Sequence, residues 1–355
     1  MDIISVLFAI LVFSLLVFFH ELGHFTAAKL SGVQVNEFAL FMGPAIFKKK
    51  IGETLYSLRC IPIGGYCAME GEDEDTENPR SFQKAAWWKR LIILVAGAAM
   101  NLIMGFLLIV LVYSFHTVLP EPVIASSTPE SLIIHEDGLQ VGDRILEIDG
   151  ETIYISSDFS MLLSFGNEYH DITVERNGEK VFLDDFHMQT YTTKDEQGQD
   201  VQLYGITFHV VQNNLPNLLS FCWRSTVDFV RNVRLSLQML ISGQAGLQDM
   251  TGPVGLISVM SDTAQNSESV GIAVLNMLYF GGFISVNLAV MNMLPIPALD
   301  GGRVVGLLLT TLIEKILRRK INPKYEGYIH GVGMILLLLL MAVILFKDVF
   351  VIFKG

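Results

Sequence analysis

The sequence predicts an α-helical polytopic membrane protein with four transmembrane helices, a strand-forming loop after the first helix, and an α/β module inserted between the second and third. Its 355 residues are 51% hydrophobic and only 17% charged, which is more apolar than an average soluble protein. The apolar residues are also clustered, and a run of about 20 crosses a bilayer as a helix. The runs nearly free of charge are 3–19, 91–119, 272–294 and 332–346.

These runs divide the chain into eight parts. The first run has no basic residue before Lys29 and leads directly into polar residues, so we interpret it as a retained helix and not as a cleaved signal peptide. The last run is short but continues beyond the Lys347–Asp348 pair. The predicted parts are helix 1 (1–30), a cytoplasmic-side β-loop and linker (31–89), helix 2 (90–119), the α/β module (120–211), an amphipathic region (212–270), helix 3 (271–303), a cytoplasmic loop (304–329) and helix 4 (330–355).

Basic residues in the short loops predict the orientation, because cytoplasmic loops carry an excess of Lys and Arg. The loop between helices 1 and 2 and the loop between helices 3 and 4 are both rich in them, so both are expected in the cytoplasm. Both termini and residues 120–270 are then expected outside it. The basic residues are Lys48, Lys49, Lys50, Arg59, Arg80, Lys84, Lys89 and Arg90 in the first loop, and Arg303, Lys315, Arg318, Arg319, Lys320 and Lys324 in the second.

The long outer region has two different patterns. Around 121–211, turn signals separate short alternating segments, and Asn177-Gly178 lies between two of them, which is a strong β-hairpin signal. Residues 216–242 instead have apolar residues at helical spacing with interspersed arginines. This amphipathic helix either lies on the outer membrane surface or packs against the rest of the protein, and the sequence leaves both alternatives open.

Composition excludes several classes of function. The net charge of −12 comes largely from local acidic patches and indicates no particular partner, while the lack of a long basic tract speaks against nucleic acid. Three cysteines cannot form a disulfide framework, and Cys60 and Cys67 lack zinc-knuckle spacing. No internal repeat is visible, which argues against a transporter built from two related halves.

The motif His20-Glu21-Leu22-Gly23-His24 ends helix 1. Side chains four residues apart share a helix face, so His20 and His24 can bind one metal ion from consecutive turns. Glu21 projects away from that face and can reach a metal-bound water as a general base. Ionisable groups in a membrane helix are costly and rarely lack a function. The alternative is a polar cluster that caps the helix at the cytoplasmic interface.

A catalytic zinc ion needs a third protein ligand, and Asp300 is the best candidate. Pro295 and Pro297 prevent a regular helix there, and irregular backbone at membrane depth is tolerated only where protein or a watery cavity covers it. Gly301-Gly302 permits a sharp turn, although an Asp-Gly-Gly run is also an ordinary turn. Helices 1 and 3 run in the same direction, so both motifs are expected near the same leaflet.

These paired motifs resemble the bacterial site-2 protease family, in its RseP-like form, over nearly the whole chain. The resemblance implies Zn²⁺ as cofactor, His20, His24 and Asp300 as its ligands, and Glu21 as the catalytic glutamate. It further implies that Asn292 contacts the substrate backbone and that Thr251–Gly255 is a family segment.

The resemblance also implies that residues 31–89 include a membrane-associated β-loop near the active site. Segments 33–38 and 56–61 are strand-like, and Gly64 and Gly65 follow them. An exposed strand edge there could bind an unwound substrate by β-augmentation. An ordinary cytoplasmic hairpin is the alternative.

Residues 138–150 resemble the glycine-rich turn of bacterial PDZ domains, so the inserted module is expected to be a single extracytoplasmic PDZ-like domain. Capture of a peptide and exclusion of bulky ectodomains are equal hypotheses for it. His330, at the start of helix 4, is expected to be a capping or packing residue.

We therefore expect a zinc-dependent intramembrane endopeptidase of the bacterial plasma membrane, with its active site toward the cytoplasm. Its partners would be the lipid bilayer and single-pass proteins already trimmed by another protease, such as anti-sigma factors and signal peptide remnants. A catalytically silent PDZ scaffold and a metal transporter are the alternatives. The intact Glu21 argues against the first, and the near absence of ionisable residues in helices 2 and 4 argues against the second.

Overall fold

The structure is a computed structural model that describes residues 3–72, 76–164, 168–194, 200–246, 253–318 and 324–354. Its helices are α1 (Ile3–Ser31), α2 (Trp87–Tyr113), α3 (Ser157–Leu163), α4 (Leu215–Ser242), α5 (Pro253–Gln265), α6 (Val270–Asn292), α7 (Asp300–Leu317) and α8 (Lys324–Lys354). Its strands are β1 (Val35–Ile51), β2 (Thr54–Met69), β3 (Val118–Ser127), β4 (Arg144–Ile148), β5 (Glu151–Thr152), β6 (Tyr169–Arg176), β7 (Glu179–His187), β8 (Tyr191–Lys194), β9 (Asp200–Leu203) and β10 (Ile206–Gln212).

Four helices among the described residues are long and apolar enough to cross a membrane, as the sequence predicted. The spans are Leu7–Ser31, Trp87–Tyr113, Val270–Asn292 and Gly327–Asp348. The chain divides into two compact units, one of residues 1–112 and 229–355 and the other of residues 113–228. The first unit contains nearly all of these four spans.

Helices in the first unit approach one another closely at glycines. A Cβ on Gly23 of α1 would lie 2.4 Å from the backbone oxygen of Ala96 in α2, and one on Gly105 of α2 would lie 2.6 Å from the side chain of Val286 in α6. Small residues permit such close contact between membrane helices. Helices α1, α2 and α6 therefore approach one another closely at these glycines.

The strands β1 and β2 form a small sheet in the first unit. Residues 37–40 of β1 lie between two stretches of β2, because they pair with 55–58 on one side and with 65–68 on the other. The predicted strand segments 33–38 and 56–61 both fall largely within this sheet. Within the described strands no other strand pairs with residues 65–68, so this stretch is an edge of the sheet.

The second unit contains a sheet in the order β10-β3-β4-β6-β7, with β5 beside β4. The hairpin β6–β7 turns at Asn177 and Gly178, whose φ angles of 53° and 84° are those that the Asn-Gly signal predicts. Phe159 of α3 is buried and packs edge-on against Tyr204 and Phe208. The mixed α/β character of the predicted module is therefore present.

Helix α4 confirms the amphipathic helix predicted at 216–242. In the second unit its Phe221 is buried against the ring of Tyr113, with ring centroids 4.6 Å apart. In the first unit its Phe229 packs edge-on against Tyr279 and Phe283 of α6. One face of α4 thus packs against protein, while Trp223 remains exposed on another.

The boundaries of the last predicted parts differ from the structure. The predicted segment 271–303 contains α6, which ends at Asn292, and the first turn of α7, and the break between them lies at the two prolines as predicted. The predicted loop 304–329 is largely helical, since α7 runs to Leu317 and α8 begins at Lys324. Mean hydropathy failed to detect α7 because its apolar residues form only one stripe of an amphipathic helix.

Candidate metal centre

The two histidines of α1 lie side by side, as their spacing predicts. The Nε2 atoms of His20 and His24 are 3.3 Å apart, and their ring centroids are 4.8 Å apart. Both side chains are largely buried, and His24 lies about 10 Å along the axis from the end of α1. The pair is therefore held within the membrane-spanning part of the helix.

Asp300 completes a group of three metal-ligating side chains. Its Oδ2 atom lies 3.3 Å from His20 Nε2 and 3.3 Å from His24 Nε2. The structure thus brings together two stretches of chain that are 276 to 280 positions apart in the sequence. This is the juxtaposition on which the predicted hydrolytic site depended.

The geometry of these three atoms fits a zinc ion. A tetrahedral zinc ion bonds nitrogen and oxygen at about 2.0 Å, which places its ligand atoms about 3.3 Å apart. The three atoms form a triangle with sides of 3.3 Å. Asp300 Oδ2 is also buried and accepts no hydrogen bond from the described residues, although such an atom normally has a partner. A divalent cation would supply one.

A backbone carbonyl fixes the orientation of one histidine ring. His24 Nδ1 lies 2.8 Å from the carbonyl oxygen of Ile93 in α2. Because a carbonyl only accepts, Nδ1 must carry the proton, and Nε2 then presents its lone pair to the metal position. This is the usual second contact of a metal-binding histidine.

Asn101 of α2 plays the equivalent part for His20. Its amide lies 3.3 Å from His20 Nδ1, and its Oδ1 atom is buried and otherwise without a hydrogen-bond partner. A 180° rotation of the amide exchanges its O and N atoms, and Oδ1 then accepts a hydrogen bond from Nδ1. That arrangement leaves Nε2 free to bind metal. Asn101 was not predicted from the sequence, although a lone amide in an apolar membrane helix is a usable signal.

Gly97 provides the space that the two rings occupy. A Cβ atom there would lie 2.3 Å from His24 Nε2 and 2.8 Å from His20 Cε1. Real Cβ atoms do not approach other atoms so closely, so any larger residue would displace the rings. The sequence did not single out this glycine, because nothing local marks it.

Glu21 lies between α1 and the edge stretch of β2. A Cβ on Gly65 would lie 3.5 Å from Glu21 Cγ, and Gly64 has a φ of 76° that favours glycine. The structure thus places the predicted residues Gly64 and Gly65 in the strand beside the predicted catalytic glutamate.

Asn292 ends α6 next to the candidate ligands. Its Nδ2 atom is 3.4 Å from His20 Nε2 and 3.5 Å from His20 Nδ1. The side chain is only partly buried, so its amide remains available at the rim of the site. Its predicted role toward substrate remains a prediction.

The loop between α6 and α7 positions Asp300. Pro295 and Pro297 break the helix as predicted, and Ala298 has a φ of 83°, which is unfavourable for a residue with a Cβ by about 1–2 kcal/mol. A Cβ on Gly301 would lie 2.3 Å from the carbonyl oxygen of Met293, and one on Gly302 would lie 2.3 Å from that of Ile296. The loop folds back tightly on itself, and only glycine permits this.

The cysteines are not part of the centre. Cys60, Cys67 and Cys222 are free thiols, and the metal-ligating group found among the described residues contains none of them. Burial raises the pKa of the Cys67 thiol, and the carboxylates of Glu21 and Glu72 raise it further. A protonated thiol is a poor zinc ligand, and the expectation that Cys60 and Cys67 do not form a zinc site stays a prediction.

Comparison with known proteins assigns the family. The model of Peptidase family M50 matches residues 8–340 of this chain. The chain belongs to peptidase family M50. This M50 peptidase is therefore a multi-pass membrane zinc metalloprotease, and the expected zinc cofactor agrees with the ligand group of His20, His24 and Asp300.

Relatives agree over nearly their whole length. A Clostridium perfringens protein whose name assigns it provisionally to the zinc metalloproteases is 35% identical over 353 residues, which cover 97% of this chain and 98% of the relative. The regulator of sigma-W protease RasP of Bacillus subtilis is 26% identical over 428 aligned positions, which cover 97% of this chain and 98% of the relative. The zinc metalloprotease RasP of Bacillus licheniformis is 27% identical over an alignment that covers 97% of this chain and 98% of the relative. The M50 peptidase thus resembles site-2 proteases over its full length.

Proposed function

We propose that this M50 peptidase cleaves the membrane-spanning segments of single-pass proteins, with His20, His24 and Asp300 as zinc ligands and Glu21 as general base. The observation that carries this proposal is the triangle of ligand atoms with sides of 3.3 Å, formed partly on a membrane-spanning helix. The substrate bond must therefore reach a site within the thickness of the membrane.

Each residue of the site has a separate role in the proposed hydrolysis. A zinc ion held by His20, His24 and Asp300 would lower the pKa of a water molecule and polarise the carbonyl of the scissile peptide bond. Glu21 takes a proton from the attacking water and delivers it to the nitrogen of the leaving amine. Asn101 and the Ile93 carbonyl hold the two imidazole rings, and the amide of Asn292 donates to the substrate backbone.

The edge of the small sheet is the proposed substrate-binding strand. A membrane-spanning helix must unwind before its peptide bonds can be attacked, and its freed N–H and C=O groups then need partners in a low-dielectric environment. Residues 65–68 begin beside Glu21 at Gly65 and, among the described strands, pair only with β1. Gly64 and Gly65 would permit close approach of a second backbone, as in other β-augmentation.

A polar network supports this edge from the neighbouring strands. Arg59 donates to Glu37 Oε1 at 2.8 Å and to the Gly43 carbonyl at 2.6 Å, and it also donates to the Tyr66 hydroxyl. Ser57 Oγ donates to the same Glu37 oxygen at 2.6 Å. Burial raises the pKa of Glu37, but these hydrogen bonds outweigh it and hold the pKa below its ordinary value. The network ties Tyr66, in the edge stretch, to the centre of the sheet.

Replacing Arg59 by Met is expected to loosen the edge strand without affecting zinc. The substitution leaves the Glu37 carboxylate short of a partner, which costs about 1–3 kcal/mol locally. KM should rise several-fold with a smaller change in kcat, and amide hydrogen exchange should accelerate at residues 65–68. Arg80→Met is the matched control, since it removes an ion pair with Glu53 outside the edge strand. Equal KM values in the two variants would contradict the role of the network.

Orientation and substrate choice complete the proposal. The basic loops support a cytoplasmic position for the small sheet and the metal centre, and an extracytoplasmic position for residues 113–228. The PDZ-like unit then lies where it meets substrate ectodomains, either to bind a trimmed end or to exclude a bulky one. Anti-sigma factors and signal peptide remnants are the proposed substrate classes in a bacterial plasma membrane.

A reconstitution experiment tests the proposal. The purified chain is placed in lipid vesicles with a doubly tagged single-pass protein, either trimmed outside the membrane or carrying a folded ectodomain. We expect cleavage within the membrane segment of the trimmed substrate. Chelation of zinc should stop this cleavage, and added zinc should restore it. Mass spectrometry locates the cut. Cleavage only at sites outside the membrane segment would refute the intramembrane assignment.

A further inference from the structure

Helix α8 contacts the loop that carries Asp300 through a histidine that the mechanism does not use. The Nδ1 atom of His330 accepts a hydrogen bond of 3.1 Å from the backbone N–H of Ala298. Ala298 is two residues before Asp300, at the point where the loop takes its unfavourable φ of 83°. The hydrogen bond therefore stabilises the unfavourable backbone conformation of Ala298.

A second contact lies three residues further along α8. A Cβ on Gly333 would lie 2.4 Å from Pro297 Cβ and 2.8 Å from both the carbon and the oxygen of the Pro297 carbonyl. The backbone of α8 thus packs directly on the residue that precedes Ala298. His330 and Gly333 lie on one face of α8, because residues three apart share a face of a helix.

Contacts between the first turn of α7 and the preceding loop also restrict the loop backbone. Gly301 and Gly302 pack against the carbonyls of Met293 and Ile296, where no Cβ would fit. Because α8 contacts residues 297–298 and the first turn of α7 packs against residues 293–297, these contacts restrict the backbone that carries Asp300.

We propose that His330 is a positioning residue that, with Gly333, clamps residues 297–298 and thereby aims Asp300 at the metal. This inference rests on the proposed role of Asp300 as a zinc ligand. It makes α8 a determinant of metal affinity although α8 supplies no ligand. Removing a contact that orients a metal ligand typically lowers metal affinity by about 10–100-fold.

The first test compares two substitutions of His330. His330→Leu removes the acceptor and should weaken zinc binding about 10–100-fold, as measured in detergent by competition with a chelating dye. His330→Asn places an amide oxygen near the position of Nδ1 and should restore most of the affinity. Cobalt substitution gives a spectroscopic check, since a displaced Asp300 should alter the visible absorption of the Leu variant and not that of the Asn variant.

The second test keeps His330 and uses a matched pair of glycines on the same helix. Gly333→Ala pushes on the Pro297 backbone, whereas Gly331→Ala adds a methyl group that meets no atom within 4 Å. Zinc affinity should fall in the first variant and remain unchanged in the second. Because both variants carry the same change of residue in α8, a shared loss of helix stability cannot produce the difference.

Asp300→Ala separates the two proposals. If it loses zinc while His330→Leu and Gly333→Ala bind zinc as wild type does, the clamp is refuted and the ligand assignment stands. If Asp300→Ala itself retains wild-type affinity, the proposed metal centre is wrong and the clamp falls with it. Graded losses, largest in Asp300→Ala, are the expected result.

Discussion

Replacing Glu21 by Gln is expected to abolish proteolysis while leaving zinc bound. Gln cannot accept the proton of the attacking water, and loss of a general base typically lowers the rate by about 10²–10⁴-fold. The substitution preserves the shape of the side chain, which lies beside Gly65 of β2. Inductively coupled plasma mass spectrometry measures the zinc content, and cleavage of the trimmed substrate in vesicles measures the activity separately.

Ligand removal provides the contrast for this variant. The double variant His20→Ala, Asp300→Ala should lose both zinc and activity, because only His24 of the three clustered ligands remains. Zinc retained by the double variant would contradict the ligand assignment. Wild-type cleavage by Glu21→Gln would remove Glu21 from the mechanism and leave the metal centre unexplained.

Replacing Gly97 by Ala is expected to lower zinc affinity by about 10²-fold or more, since a displaced ligand is at least as harmful as a lost supporting contact. The added Cβ would lie 2.3 Å from His24 Nε2, which is the atom offered to the metal. Neither imidazole can hold its present position beside such a methyl group. Dye competition gives the affinity, and loss of cleavage should follow it.

The control for Gly97→Ala is Gly331→Ala, which makes the same change in another membrane-spanning helix where space is open. Thermal unfolding of both metal-free variants separates a local defect from a global one. The expected result is a selective loss of zinc binding in Gly97→Ala with a metal-free protein that still unfolds cooperatively. Wild-type zinc affinity in this variant would show that the rings are not confined by α2 as the structure indicates.

Much of the architecture could be predicted because it depends on local patterns. Runs of apolar residues identified the four spans, and the spacing of His20 and His24 predicted that their side chains meet on one helix face. The prolines after Asn292 predicted a break in the backbone, and Asn177-Gly178 predicted a hairpin that is present. Each of these inferences needed only residues that are neighbours in the chain.

The missed features depend on which elements pack together. Gly97, Asn101 and the Ile93 carbonyl shape the metal centre because α2 crosses α1 at that level. Apart from the lone amide of Asn101, nothing in the sequence distinguishes that level from any other turn of an apolar helix. Helix α7 was missed for a related reason, since only one of its stripes is apolar and an average over all its residues conceals it.

The sequence by itself therefore determined the membrane-spanning class and the metal-binding motif with its candidate residues, because hydropathy, helical periodicity and short motifs depend on a few neighbouring positions. Only the tertiary structure decided that Asp300 reaches the two histidines, that residues 65–68 form the strand edge beside Glu21, and that His330 supports the loop. Such contacts join residues tens to hundreds of positions apart. Their geometry follows from the packing of whole helices and strands, which local patterns do not specify.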